Sequence, residues 1–402
     1  MNRRLFFACA ALAFAAGCAT PLQQGNGLSP AGLARLESTM RSEVERGRIP
    51  GMVMMVQRDG QLAYSKALGR QDPASGAAMR EDAIFRIYSM TKPIVSVGIM
   101  MLVEEGRITL SDPVAKHIPE LKDLKVGVEK DGKLEIVSAQ RQPTIQDLLR
   151  HTSGFTYGVF GKSMVKDLYT KNGVDSSDHT NAELVKKLAQ VPLMYQPGTT
   201  WEYGRSTDVL GHVIEKVSGQ PLDAFLQQRI LGPLGMKDTA FYAAPDKQAR
   251  LAEAFAKDPD SGAAVNLLNV REPPKYLAGG QGLVSTAADY LRFAQMLLNG
   301  GELGGVRLLG RKTVEYMSSD HLGAIRGPGP GYGFGLGFTV RLANGLSASE
   351  GSAGEFNWSG LGGTTFWVDP KERLVAVFMS QAPNQRNYYR ELFRNGVYGA
   401  LN

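Results

Sequence analysis

Ser89 and Lys92 stand three residues apart in Phe85-Arg86-Ile87-Tyr88-Ser89-Met90-Thr91-Lys92, and on a helix positions i and i+3 share a face. A serine hydroxyl is a weak nucleophile at neutral pH and needs a base within hydrogen-bond reach. A lysine can serve as that base only if burial or cationic neighbours bring its pKa from about 10.4 to roughly 7 to 8. The pair implies covalent acyl chemistry at the dry start of a helix. Composition alone gives roughly one Ser-x-x-Lys in a chain of this length, and a second occurs at Ser163-Met164-Val165-Lys166. The two differ in their surroundings. Ile94, Val95, Val97, Ile99, Met100, Leu102 and Val103 follow Ser89 as a strongly apolar helix that ends near Gly106, with Pro93 early enough to be tolerated. Ser163 follows Gly158 and Gly161 in a stretch of little periodicity and reads as a solvated turn.

The elements that must position Ser89 begin with a helix from Ser29-Pro30, a cap and first helical position, to about Gly47. Residues 51–57 and 61–68 are strand-like runs joined by Arg58-Asp59-Gly60, a strong hairpin signal. A small charged hairpin is expected over 129–137 about Asp131-Gly132, then helices over 144–150, 181–190, 207–218 and 222–231. An amphipathic helix over 286–298, capped by Ser285, is followed by a Gly- and Pro-rich approach at 327–337, read as leading into an edge strand over 335–340. Residues 364–368 and 374–380 form a second hairpin about Asp369-Pro370-Lys371-Glu372, and 387–401 a closing helix. Strands at both ends with helices between them predict an α+β fold: one antiparallel sheet built from both termini, flanked by helices, with a mainly helical lobe inserted. The expected boundaries are an α/β lobe at about 29–110 and 285–402 and a helical lobe at about 111–284.

Met1-Asn2-Arg3-Arg4, an apolar run from Leu5 to Ala16 and Gly17-Cys18 read as an export signal over 1–17, too short to span a bilayer. Ala15-Ala16-Gly17-Cys18 is similar to a bacterial lipobox, although Ala15 holds the place of the usual Leu. Cys18 is then the lipidated first residue, 18–28 a tether, and the expected location the periplasmic side of a membrane; the alternative is a soluble periplasmic protein. Both cysteines, Cys9 and Cys18, lie in this segment, which excludes disulfides and cysteine metal sites from the domain.

Lys and Arg number 45 against 39 Asp and Glu, a net charge of +6, mixed along the chain without a basic block. No nucleic-acid partner is expected. Gly-x-Ser-x-Gly and His-Glu-x-x-His are absent, and the five histidines have no close metal-ligand spacing. Gly161-Lys162-Ser163 ends like a P-loop whose first glycine would be Thr156, and His151-Thr152-Ser153-Gly154 reads as a helix end and turn. Neither a metal nor an organic cofactor is expected.

Five stretches, in order, resemble the serine β-lactamase and penicillin-binding superfamily, specifically its class C-like branch with the family VIII carboxylesterases. They are residues 85–92, Thr144 to Gly154, Pro197-Gly198-Thr199-Thr200-Trp201-Glu202-Tyr203, Gly279-Gly280-Gln281-Gly282-Leu283-Val284-Ser285-Thr286, and Trp358-Ser359-Gly360. The resemblance implies a β-lactamase/transpeptidase-like fold with Ser89 as acylated nucleophile, Lys92 as its base partner and Tyr203 as the second motif's tyrosine. Either Lys92 or Tyr203 can take the first proton. It also implies that Trp358, Ser359 and Gly360 line the substrate cleft and that the backbone N–H groups of Ser89 and Leu361 form an oxyanion hole. Where β-lactamases commonly carry Tyr-x-Asn this chain has Tyr203-Gly204-Arg205, and Trp358 stands where they carry a cation. Both departures weaken recognition of carboxylated amides, so a small, short-chain carboxylic ester is the expected substrate. The alternatives are β-lactamase or D-amino-acid peptidase activity on amides, or a non-catalytic cell-wall-binding lipoprotein. Tyr157 and Phe160 are assigned to core or loop packing, with an acyl-pocket wall as the alternative.

Overall fold

Ser29 accepts a hydrogen bond from the Gly32 N–H at 3.3 Å and so caps α1 (Pro30–Glu45), with Pro30 where its missing N–H costs nothing. The chain, seen in a computed structural model that describes residues 27–402, then forms β1 (Gly51–Arg58) and β2 (Gln61–Asp72). Asp59 and Gly60 join them at φ 53° and 76°, the left-handed pair that a two-residue hairpin turn requires. Cys18 and the export and lipobox expectations lie outside the described residues.

One eight-stranded sheet organises the protein. Its other strands are β3 (Ala77–Ala78), β4 (Tyr332–Phe334), β5 (Thr339–Arg341), β6 (Phe356–Ser359), β7 (Thr365–Asp369) and β8 (Leu374–Ser380). Their order is β4-β5-β6-β7-β8-β1-β2-β3, antiparallel throughout, so N- and C-terminal segments meet at the β8–β1 pair. The termini also meet directly, the Ser29 N–H donating to the Ala400 carbonyl at 2.6 Å.

Period-two alternation assigns the two faces of this sheet. Met52, Met54 and Val56 of β1, with Leu374, Ala376 and Phe378 of β8, join an apolar cluster with Leu36 and Met40 of α1 and Tyr389, Phe393 and Val397 of the closing helix. Val53, Met55, Val375, Val377 and Met379 face the larger core, which contains α2 (Thr91–Glu104), α3 (Ser206–Ser218) and α4 (Ala287–Leu298). The closing helix is α5 (Arg386–Tyr398). Because both faces are covered, β1 and β8 are buried almost throughout and carry few polar residues. Helix α2 is buried from Thr91 to Leu102, and each fully buried Ile, Val or Leu in it stabilises the fold by about 1.5–3 kcal/mol.

Several details depart from the sequence expectations. Thr286, not Ser285, caps α4, accepting from the Asp289 N–H at 3.1 Å, because Ser285 is held in a ribbon with Phe85. Ser163 is not a solvated turn. It caps a helix (Met164–Lys171), accepting from the Lys166 N–H, while Lys166 Nζ donates to the Phe160 carbonyl. The edge strand does not run from 335 to 340 but splits into β4 and β5, since Gly337, at φ 111°, lies so close to α2 that a Cβ there would come within 2.4 Å of Ser96 Oγ. The helix expected over 222–231 is α-helical to Leu226 and ends in a π turn, Gln227–Leu231.

Candidate active site

Ser89 lies in a single 3-10 turn, Tyr88–Met90, which runs directly into α2. Tyr88 enters the turn at φ 44°, a left-handed backbone that costs a non-glycine residue of order 1–3 kcal/mol and is held only by its surroundings. Those surroundings are specific. The Tyr88 hydroxyl accepts from the Leu268 N–H at 3.0 Å, the Ile87 N–H donates to Leu283, the Tyr290 hydroxyl donates to the Met90 carbonyl, and Thr91 Oγ1 accepts from the Leu283 N–H. The nucleophile turn is thus clamped to the segment that opens α4.

Lys92 is fully buried beneath Ser89. Its Nζ donates to the Gly280 carbonyl at 2.7 Å, to Ser89 Oγ at 3.2 Å and to the Tyr157 hydroxyl at 3.2 Å. Tyr203 completes the centre: its hydroxyl donates to Ser89 Oγ at 2.6 Å, and Lys92 Nζ lies 4.5 Å from the centre of its ring. Ser89, Lys92 and Tyr203, singled out from the sequence, therefore converge. Ser89 remains half-buried, open to a reactant on one side.

Local chemistry explains how Tyr203 arrives there. Thr144 and Asp147 form a capping box that starts the helix Ile145–Leu149, and Asp147 also accepts from Arg141, Arg150 and Thr152. His151 follows at φ 57°; its carbonyl accepts from the Glu202 N–H, and the Thr152 carbonyl accepts from the Gly198 N–H. The 151–154 turn thereby carries the 197–203 segment. Gly204 allows the close pass that follows, since a Cβ there would fall 2.2 Å from the Phe155 carbonyl oxygen. His151 packs its ring 5.0 Å from that of Tyr203. Burial first, and the Lys92 charge second, hold its pKa well below the usual histidine value.

The glycine-rich segment 279–282 is explained the same way. A Cβ on Gly279 would lie 2.6 Å from the Thr207 carbonyl oxygen in α3, and one on Gly280 would lie 2.8 Å from Asp208 Oδ2. Only glycine brings the Gly280 carbonyl onto Lys92.

On the opposite wall, β6 presents Trp358, whose ring centre is 5.4 Å from those of Tyr203 and Phe334. The Ser359 hydroxyl is shared with Thr365 Oγ1 at 2.9 Å. Gly360 donates its N–H to Thr364, and a Cβ there would collide with the Ile87 carbonyl oxygen at 2.2 Å. This tight approach sets the turn carrying Leu361 against the turn carrying Ser89. Leu361 itself is exposed.

Two further residues lie behind this centre. Tyr157 is buried, as core packing expects, and in addition its hydroxyl accepts from Lys92 Nζ; burial first, and the Asp208 charge second, push its pKa well above the usual tyrosine value. The contact spans 65 positions, and no local pattern in the sequence announces it. Arg205 is buried beneath Tyr157 and pairs with Asp175 at 2.9 Å. Phe160 is exposed and meets the Tyr157 ring edge-on. Among the described residues no group of three or more His, Cys, Asp or Glu side chains is placed to hold a metal ion.

This constellation can be set beside known proteins. The beta-lactamase family model matches residues 36–397. Protein Rv1367c of Mycobacterium tuberculosis is 33% identical over 359 residues, covering 86% of this chain and 89% of that protein. Esterase EstB of Burkholderia gladioli is 33% identical over 371 residues, covering 86% of this chain and 90% of that protein. Among solved structures, EstCE1, a hydrolase with promiscuous acyltransferase activity, superposes with a TM-score of 0.78 at 25% identity over 92% of this chain and 98% of that one. The match spans the nucleophile turn, the Tyr203 segment and the β6 wall alike, and the chain belongs to the beta-lactamase family, in the serine β-lactamase and penicillin-binding superfamily with esterase-like relatives.

Proposed function

We propose that the protein is a serine hydrolase that cleaves short-chain carboxylic esters through an acyl-Ser89 intermediate. The observation that carries this is the convergence of Lys92 Nζ and the Tyr203 hydroxyl on one half-buried serine oxygen, at 3.2 Å and 2.6 Å. Esterase EstB, similar along most of the chain, supports the choice of ester.

Attack requires one of the two groups touching the serine oxygen in its deprotonated form, Lys92 as free amine or Tyr203 as phenolate; that group takes the Ser89 proton while Oγ attacks the ester carbonyl carbon. The carbonyl oxygen, now negative, is met by the N–H groups of Ser89 and Leu361; such a donor typically contributes about 2.7–4 kcal/mol to the transition state. The carbon–alkoxide bond then breaks, and the leaving oxygen takes the proton back from the same group. Water repeats the sequence on the acyl-enzyme, releasing the acid and restoring Ser89.

Ester rather than β-lactam chemistry follows from two positions. Arg205 stands where β-lactamases carry an amide-orienting Asn, and it is buried in an ion pair. Trp358, its ring tilted against Tyr203 and edge-on to Phe334, holds the place of a carboxylate-binding cation. The test is turnover of a short-chain nitrophenyl ester beside a chromogenic cephalosporin, by the wild type and by Ser89→Ala. Ester turnover lost in the variant is the expected result. Turnover surviving in Ser89→Ala, or a wild type faster on the cephalosporin, overturns the reading.

A further inference from the structure

Arg205 lies outside the reacting centre, yet it reaches both groups that hold Lys92 Nζ from behind, Tyr157 directly and Gly280 through Asp208. Its guanidinium carbon sits 4.8 Å from the centre of the Tyr157 ring, and the Tyr157 hydroxyl accepts from Lys92 Nζ. Its Nη2 donates to Asp175 Oδ1 at 2.9 Å; the same Asp175 accepts from the Gly158 N–H at 3.3 Å, so the backbone beside Tyr157 is fixed by the partner that fixes Arg205. Its Nη1 lies 3.6 Å from Asp208 Oδ2. Asp208 Oδ1 accepts from the Gly280 N–H at 3.0 Å and from the Tyr276 hydroxyl at 2.6 Å, and the Gly280 carbonyl accepts from Lys92 Nζ at 2.7 Å. Starting from Arg205, one path reaches Lys92 through Tyr157 and the other through Asp208 and Gly280.

A purely structural ion pair does not need this arrangement. Burying a guanidinium and two carboxylates costs several kcal/mol per ion before attraction is counted, and apolar side chains of similar volume usually serve stability as well or better. Arg205 is only 3% exposed, and its Nε and Nη1 meet no good hydrogen-bond acceptor. The cost is borne at the one place where the ring of Tyr157 and the carbonyl of Gly280 can be held together.

We infer that Arg205 is a positioning residue for the Lys92 base, its guanidinium fixing the Tyr157 ring directly and the Gly280 carbonyl through Asp208. The inference rests on the assignment of Ser89 and Lys92 above. The planar cation matters, because lysine keeps the charge but loses the flat face that lies against the ring. The titratable groups facing the Lys92–Tyr157 pair are Tyr203, His151, Asp208, Tyr276 and Arg205 itself. A displaced pair therefore changes the pH profile of turnover as well as its rate.

The experiment compares wild type, Arg205→Lys, Arg205→Met, Tyr157→Phe and the Tyr157→Phe/Arg205→Met double variant of the full chain. It reads kcat, KM and the pH profile of kcat/KM on the nitrophenyl ester, with a thermal melt for each protein. Arg205→Met is expected to lose roughly 10- to 100-fold in kcat, with KM within about twofold and the profile moved along the pH axis. Arg205→Lys is expected to fall between it and the wild type. In the double variant the Arg205 substitution should cost clearly less than it does alone, because one of its two routes is gone. Wild-type kcat and an unmoved profile in Arg205→Lys and in any foldable Arg205→Met overturn the inference, as do fully additive losses in the double variant. Should Arg205→Met fail to fold, Arg205→Lys decides, alone and combined with Tyr157→Phe. Ser89→Ala separates the two levels: turnover surviving there removes the nucleophile and this inference together, whereas turnover lost there but intact in the Arg205 variants removes this inference only.

Discussion

The Tyr157 hydroxyl lies 3.2 Å from Lys92 Nζ, as close as the Ser89 oxygen on the other side. Lys92 thus divides its donors among the nucleophile, a buried phenol and the Gly280 carbonyl. Tyr157→Phe removes one of these partners and keeps the ring. The expected outcome is a fall in kcat of roughly 10- to 100-fold with little change in melting temperature, read by steady-state ester hydrolysis and calorimetry. Unchanged kcat would mean that this hydroxyl merely fills space.

Tyr203 touches the serine oxygen at 2.6 Å, the shortest contact Ser89 makes among the hydrogen bonds described. Tyr203→Phe should lower the acylation rate by roughly 10²- to 10⁴-fold, the range typical of a lost acid–base partner. Rapid-mixing kinetics on a nitrophenyl ester measure that step directly. A normal burst of nitrophenol in this variant would assign the proton transfer to Lys92 alone.

Gly360 and Gly329 offer a matched comparison. A Cβ on Gly360 would lie 2.2 Å from the Ile87 carbonyl oxygen, beside the nucleophile turn, whereas one on Gly329 meets open space. Gly360→Ala should destabilise by about 1–3 kcal/mol, as overpacking does, and lose most of its turnover because Leu361 and Ser89 are pushed apart. Gly329→Ala should match the wild type in both. Equal behaviour of the two variants, in melts and assays, would contradict the tight packing seen at Gly360.

Stability should decline with acid in two stages. His151 has a depressed pKa through burial and then the Lys92 charge, so its contribution is full above about pH 6.5, the unfolded value, and is lost as pH falls toward its lower folded value. Burial alone would raise the Asp147 pKa, but hydrogen bonds from Arg141, Thr144 and Thr152 outweigh it and hold it at about 2. Its contribution, on the order of 2 kcal/mol, is present above about pH 4 and lost between there and pH 2. Urea titrations from pH 8 to pH 2 on the wild type and Asp147→Asn should show the lower stage shrink by about that amount in the variant, the remainder coming from other carboxylates held low, Asp112 and Asp238 among them. A lower stage undiminished in the variant would show that Asp147 does not contribute to it.

If Cys18 is the lipidated residue that its lipobox-like setting suggests, Cys18→Ala expressed with its own leader should move from the membrane fraction to the soluble exported fraction. Fractionation with immunodetection measures this. Wild-type protein found wholly in the soluble fraction would favour cleavage without an anchor.

Local chemistry was readable wherever a few adjacent residues decide the conformation. Asp59-Gly60 and Asp131-Gly132 mark their hairpins because the turns need positive φ at both positions, and both pairs have it. Ser89 and Lys92 could be paired because one helical turn sets their distance, and the apolar run after them marks a helix buried enough to shelter a lysine. The meeting of both termini in one sheet followed from where the strand-like runs fall. Tertiary structure alone decided the rest. Thr286 displaced Ser285 as a cap because a ribbon claimed Ser285, and Gly337 broke an expected strand because α2 passes beside it. Tyr157 reaches Lys92 and Arg205 turns inward for the same reason: a buried polar atom must find a partner, and which partner is within reach depends on how distant segments pack, not on the residues beside it in the chain.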